Sequence, residues 1–279
     1  MRLSSWGRGP LVVKLSGIAG GVWLYREEMV AAVRAGFRVL VLDTTGDRRD
    51  DPATAPLGWD SLTGEVVRAI DRHGERALLW GTSFGSVLAM ATAARHPDRV
   101  AGLLLCHPPD PLRPPPFHRA FLSWLRSRPH PERIAASTFR AAFVVLNGWE
   151  LLAPKTLSRL PRLAREALTA RTPGSTVIRK LELLFEDDPG LPPAAAAIPA
   201  AIIAGRWDAV ATPGAARAMA DRLPDARLHW LAFSGHAGAY SRAKAYKRIA
   251  INELHRLSEH SEGSAQRAPR EPTPTPGGL

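Results

Sequence analysis

Residues 76–90 read Arg76-Ala77-Leu78-Leu79-Trp80-Gly81-Thr82-Ser83-Phe84-Gly85-Ser86-Val87-Leu88-Ala89-Met90. The stretch begins as a short apolar run and ends in an apolar-periodic segment rich in helix formers, the order of a buried strand followed by a helix. At the junction lies Gly-Thr-Ser-Phe-Gly, a G-x-S-x-G pattern in the one setting that gives it chemical meaning. A serine hydroxyl is a poor nucleophile unless it is held clear of the surface beside a base. A sharp strand-to-helix turn does this by forcing the serine into a strained backbone conformation. Gly81 and Gly85 carry no Cβ to clash where strand and helix cross, so they permit that turn.

Outward from this point, strands and helices alternate. Toward the N-terminus, residues 10–16 form a β-rich run ending in Gly17-Ile18-Ala19-Gly20-Gly21, and a helical pattern with Trp23, Met29, Val30 and Val33 on one face stops at Gly36. Residues 37–43 make a second strand, residues 44–57 a polar loop, and residues 60–72 a helix. Beyond the serine helix, residues 100–106 are a further strand. Strands joined by helical crossovers predict a parallel, doubly wound sheet.

From 107 to 195 the alternation stops. Prolines cluster, no strand is legible, and helical patterns cover residues 117–125, 132–146, 155–170 and 175–185. This predicts a helical insertion of roughly 80 residues, too long for a simple loop, seated over the carboxyl ends of the strands. The sheet resumes at 199–205, a helix runs from Pro213 to Leu223, residues 226–233 form the last strand, and a helix covers 239–257. The expected division is therefore core over 1–106, helical cap over 107–195, core over 196–257 and a disordered polar tail over 258–279.

Three residues follow predicted strand ends: Ser83, Asp208 and His236. In a parallel sheet the carboxyl ends share one edge, so the three can converge although distant in sequence. Ser83 Oγ would attack an acyl carbon, His236 would take its proton, and Asp208 would orient the imidazole and stabilise it when charged. Asp110, after the strand ending at Cys106, is the rival acid, and strand-end geometry favours Asp208.

With this order of elbow serine, aspartate and histidine, the chain resembles the α/β-hydrolase superfamily over residues 10–257, in particular its serine hydrolases with a helical cap after the sixth strand. The resemblance implies Ser83 as nucleophile, Asp208 as acid and His236 as base. It places oxyanion donors at the backbone N–H groups of Phe84 and Ile18. Two departures stand out. Many relatives carry His-Gly before the second donor, where this chain has Ser16-Gly17, which removes a side chain that braces the loop. Nine or so residues precede the Leu11 strand, too few for the antiparallel strand pair usual in the family.

Composition narrows the function classes. A net charge of +11 invites nucleic acid, but the arginines are scattered and no basic stripe interleaves with aromatics. The single cysteine, Cys106, sits in an apolar run and reads as a buried thiol. The histidines show no metal-ligand spacing, so no metal or other cofactor is expected. No apolar run is long enough to cross a bilayer, and Lys14 interrupts the N-terminal one, so a cytoplasmic protein is expected. The expected activity is hydrolysis of a carboxylic ester or thioester on a small acyl substrate through an acyl-enzyme. Acyl transfer by the same residues and non-catalytic binding on the same scaffold are the alternatives. Trp124, Phe139, Phe143 and Trp149 suggest an apolar substrate group; oligomeric state is not encoded legibly.

Overall fold

The computed structural model describes residues 2–18, 22–44, 57–74, 76–151, 172–191 and 198–267. Seven strands form one sheet: β1 (Arg2–Trp6), β2 (Leu11–Leu15), β3 (Arg38–Asp43), β4 (Ala77–Thr82), β5 (Val100–Cys106), β6 (Ala200–Gly205) and β7 (Arg227–Leu231). Their spatial order is β1-β3-β2-β4-β5-β6-β7. Every neighbouring pair is parallel except β1 with β3, where Arg2 faces Asp43 and Trp6 faces Val39.

The parallel strands β2 to β6 fall where the apolar runs predict them, because strands covered on both faces read as continuous hydrophobic stretches, and the half-exposed edge strand β7 also lies within its expected span. β5 is buried at every position. On one face pack α2 (Trp59–Asp71), α3 (Phe84–Arg95) and α7 (Pro213–Asp221); on the other pack α1 (Arg26–Arg34) and the long α9 (Ala243–Arg267), which a short α8 (Gly238–Ser241) precedes. Leu62, Val66, Val87 and Met219 fill the first layer, and Met29, Tyr246, Ala250 and Leu254 the second.

Two differences from expectation are structural. The antiparallel edge consists of β1 alone among the described residues, so the helical segment follows β5, the fifth strand of this chain rather than the sixth. α9 continues to Arg267, ten residues past the expected end at Leu257. Residues 258–267 offer little to bury, and apart from Gly263 they do not oppose a helix already propagating from its packed first half. The helical segment itself contains α4 (Pro116–Arg126), α5 (Pro131–Leu151) and α6 (Gly174–Phe185). The helix expected over residues 155–170 lies outside the described residues, as do residues 268–279. No described helix is long and apolar enough to cross a membrane.

Candidate active site

The turn from β4 into α3 has the strained geometry that the glycines on either side allow. Ser83 adopts φ 54° and ψ −119°, in the left-handed half of backbone space that a residue with a Cβ rarely enters. A Cβ on Gly81 would lie 2.3 Å from the Gly85 carbonyl oxygen, and one on Gly85 would lie 2.3 Å from that of Leu15. Neither position accepts a side chain. Hydrogen bonds hold the turn: the Ser83 N–H donates to the Cys106 carbonyl (2.8 Å), and the buried Ser86 hydroxyl to the same oxygen (3.1 Å).

Asp208 follows β6 and His236 follows β7, and the structure brings them together: His236 Nδ1 lies 2.8 Å from Asp208 Oδ2. The other carboxylate oxygen, Oδ1, accepts from the backbone N–H groups of Val210 (2.9 Å) and Ala211 (2.8 Å). Asp110 is buried, but its Oδ1 accepts from the Leu112 N–H at 3.0 Å and caps its own turn. Among the described contacts it has no part with His236.

A second imidazole on Asp208 was not expected from sequence. His107, directly after β5 and itself at φ 50°, places Nδ1 3.0 Å from the same Oδ2. Burial alone would push the Asp208 carboxyl up; the charge of His236 and the hydrogen bonds from His107 and His236 outweigh it and hold the group far below the usual range. An ionised carboxylate can only accept, so both imidazoles carry their proton on Nδ1. Neutral His236 is then left with Nε2 as an acceptor, the tautomer a general base requires. His107 Nε2 is buried with no partner among the described residues. A histidine following a strand had the same sequence signal as Asp208, but the adjacent Pro108-Pro109 made the segment read as the start of the insertion.

His107, Asp208 and His236 also bring three ligand-type atoms within 4.8 Å of one another, a cluster that sequence spacing did not foreshadow. Those atoms already bond one another, so a cation there would have to displace both ring protons.

Of the two residues expected from sequence to supply oxyanion donors, Phe84 follows Ser83 directly and Ile18 follows Gly17. Phe84 opens α3, where a backbone N–H has no intrahelical acceptor. Gly17, next to Ile18, lies so close that a Cβ on it would stand 3.4 Å from that of Ser83. The brace that the absent histidine would supply comes instead from Tyr25, whose hydroxyl accepts the Gly17 N–H at 3.1 Å. Beneath that ring sits Lys14, fully buried, with Nζ 4.4 Å from the Tyr25 centroid and 4.3 Å from that of Trp80. The ammonium pairs with Glu28 (2.9 Å) and donates to Thr82 Oγ1 (2.8 Å), the residue before the serine. One buried cation thus supports both segments that meet at Ser83. Gly20 and Gly21 lie outside the described residues.

Helices of the insertion complete the surroundings. The Phe143 ring stands edge-on to His236 at 6.0 Å, whereas Trp149 pairs with Trp207 and Trp124 is 44% exposed. Phe139 packs against the main core. His118 stacks on Phe185 at 4.7 Å. Burial pushes its imidazole down to about 4, with the charge on His236 adding to the shift and that on Asp208 opposing it. Between the ordinary histidine value near 6.5 and this one, the unfolded chain binds a proton that the folded protein does not, so stability falls as pH drops through the window. Melting temperatures from pH 7 to pH 4 should therefore fall more steeply for the wild type than for His118→Phe, which keeps the stacked ring.

The alpha/beta hydrolase fold family matches residues 10–243. The chain is 29% identical over 266 residues to a pimeloyl-[acyl-carrier protein] methyl ester esterase of Chromobacterium violaceum, covering 93% of this chain and 97% of that one. Among solved structures, an esterase of Exiguobacterium antarcticum superposes with a TM-score of 0.76 at 16% identity, covering 91% of this chain and 94% of that one. An enol-lactonase of Burkholderia xenovorans LB400 does so with a TM-score of 0.72 at 22% identity, covering 91% and 96%. At those identities the two structures speak for the fold alone. With the strand order, the elbow and the match over most of its length, the chain belongs to the alpha/beta hydrolase fold family.

Proposed function

We propose that this enzyme is a serine hydrolase that cleaves a carboxylic ester or thioester through an acyl-enzyme. The observation that carries this is Ser83 at a positive-φ elbow on the sheet edge where His236, hydrogen-bonded to Asp208, also lies. His236 Nε2 takes the Ser83 proton as Oγ attacks the acyl carbon, and Asp208 stabilises the imidazolium that forms. The N–H groups of Phe84 and Ile18 receive the oxyanion. Collapse expels the alcohol or thiol, which takes the proton from His236. Water, activated by the same imidazole, then releases the acid. A relative named as a methyl ester esterase supports an ester as substrate. Phe143 beside His236 supports an apolar group at the reacting centre.

Turnover of p-nitrophenyl and thioester substrates of graded chain length tests this, with products separated in the presence and absence of added alcohol or amine. Free acid in every case is the expected result. Acyl transfer to the added nucleophile as the main product would contradict hydrolysis. No turnover of any ester or thioester would contradict the whole proposal.

The Tyr25 brace gives a quantitative expectation. Tyr25→Phe keeps the ring over Lys14 and removes only the hydroxyl that holds Gly17. Losing one oxyanion donor outright costs about 10²–10³ in rate, which sets the ceiling for losing its support. Steady-state kinetics should show kcat reduced below that ceiling with KM nearly unchanged.

A further inference from the structure

Helix α5 belongs to the insertion, yet one of its faces carries the polar contacts of the loop that bears His236. Phe143, Asn147 and Glu150 recur at intervals of four and three, so they share that face. Phe143 touches the His236 ring edge-on. Asn147 Oδ1 accepts the backbone N–H of His236 itself at 3.1 Å, and its Nδ2 donates to the Phe143 carbonyl at 2.9 Å. Glu150 takes three donors: the Ala237 N–H on Oε2 (2.8 Å), and the hydroxyls of Ser234 (3.0 Å) and Ser241 (2.6 Å) on Oε1. Asn147 and Glu150 are each 1% exposed. Among the described residues no cation pairs with Glu150, and the donors to its carboxyl group come from residues 234–241.

The loop is shaped around this carboxylate. A Cβ on Gly235 would stand 2.9 Å from Glu150 Oε2 and 3.3 Å from Trp149 Cζ2, so the neighbour of His236 has room for no side chain. The sheet cannot set the loop unaided, since β7 ends at Leu231, five residues earlier. Between them, among the described residues, the backbone bond from the Trp207 N–H to the Ser234 carbonyl (2.9 Å) ties the loop to the end of β6. A helix that merely covered the loop would do so with apolar side chains, because a buried carboxylate is costly without full hydrogen bonding. Here two acceptors are spent on the N–H groups of residues 236 and 237.

We propose that Asn147 and Glu150 are positioning residues: helix α5 is a fixed bracket that holds the imidazole of His236 in its working place. Moving α5 away from the sheet breaks four hydrogen bonds to residues 234–241, so the seating of this helix and the competence of the base are one event. The proposal rests on His236 being the general base.

The test combines the rate of reaction with a fluorophosphonate, kcat and KM on an ester, and melting temperature. Asn147→Ala and Glu150→Ala should each lower labelling rate and kcat on the order of 10²-fold, the effect of displacing a catalytic group by about 1 Å, with KM nearly unchanged. Asn147→Asp and Glu150→Gln keep an acceptor oxygen and should recover most of the loss. Alanine variants that melt earlier but label at the wild-type rate while folded would overturn the proposal. Should neither alanine variant fold, hydrogen exchange on the wild type decides. The N–H groups of His236 and Ala237 should exchange as slowly as those of β6, and exchange at the rate of an open loop would overturn the bracket. A wild type that takes no fluorophosphonate refutes His236 as base, and the exchange result still judges the bracket separately.

Discussion

Ser83→Ala is expected to lower kcat on the order of 10⁶-fold, leaving only the catalysis that binding and oxyanion donors supply. No other described hydroxyl stands at a positive-φ turn on the catalytic edge of the sheet, so no neighbour can substitute. The same position holds strain at φ 54°, which a residue without a Cβ relieves. Ser83→Gly should therefore be equally inactive and melt at a higher temperature than Ser83→Ala. Kinetics on a chromogenic ester together with thermal melts of the three proteins measure both effects. Residual activity above about 1% in Ser83→Ala would place the nucleophile elsewhere.

Asp208→Asn is expected to cost about 10⁴ in kcat with the fold retained. The Val210 and Ala211 N–H groups fix the amide oxygen at the Oδ1 place, so the amide presents its NH2 donor where both imidazole N–H groups now bind. His236 is then drawn to the tautomer with its proton on Nε2, which cannot accept from Ser83. Stability should show the pH signature of a carboxyl held far below its ordinary value. A depressed group stabilises the fold at every pH above its unfolded value, near 3.9, and that contribution disappears as pH falls from there through the folded value. The stability gap between wild type and Asp208→Asn should thus be constant from pH 7 to about 5 and close only below about 4.

The parallel part of the fold was legible because its physics is local. β4, β5 and β6 are continuous apolar runs, and the Gly81-Thr82-Ser83-Phe84-Gly85 turn marks the strand-to-helix junction by composition alone. β1 was not legible: Arg2-Leu3-Ser4-Ser5-Trp6 lacks a run of β-formers and becomes a strand through its pairing with β3. The same division holds at the site. Ser83, Asp208 and His236 each follow a strand and could be found one at a time. His107 also follows a strand, but Pro108-Pro109 hid it, whereas Tyr25, Asn147 and Glu150 act through partners 8, 89 and 87 residues away, and no local pattern distinguishes them from core or surface positions. Tyr25 also shows why the missing histidine of the oxyanion loop was a poor guide: the loop needs an acceptor for a backbone N–H, and a hydroxyl from another element meets that need.

The most direct measurement is the intact mass of the wild-type protein after exposure to a fluorophosphonate, followed by peptide mapping. An activated serine displaces fluoride at phosphorus and keeps the phosphonyl group, whatever the natural substrate is. One adduct, on the peptide containing Ser83, with none on Ser83→Ala, is the predicted result. No adduct on folded wild type, or an adduct on a different serine, would contradict Ser83 as the nucleophile of this enzyme.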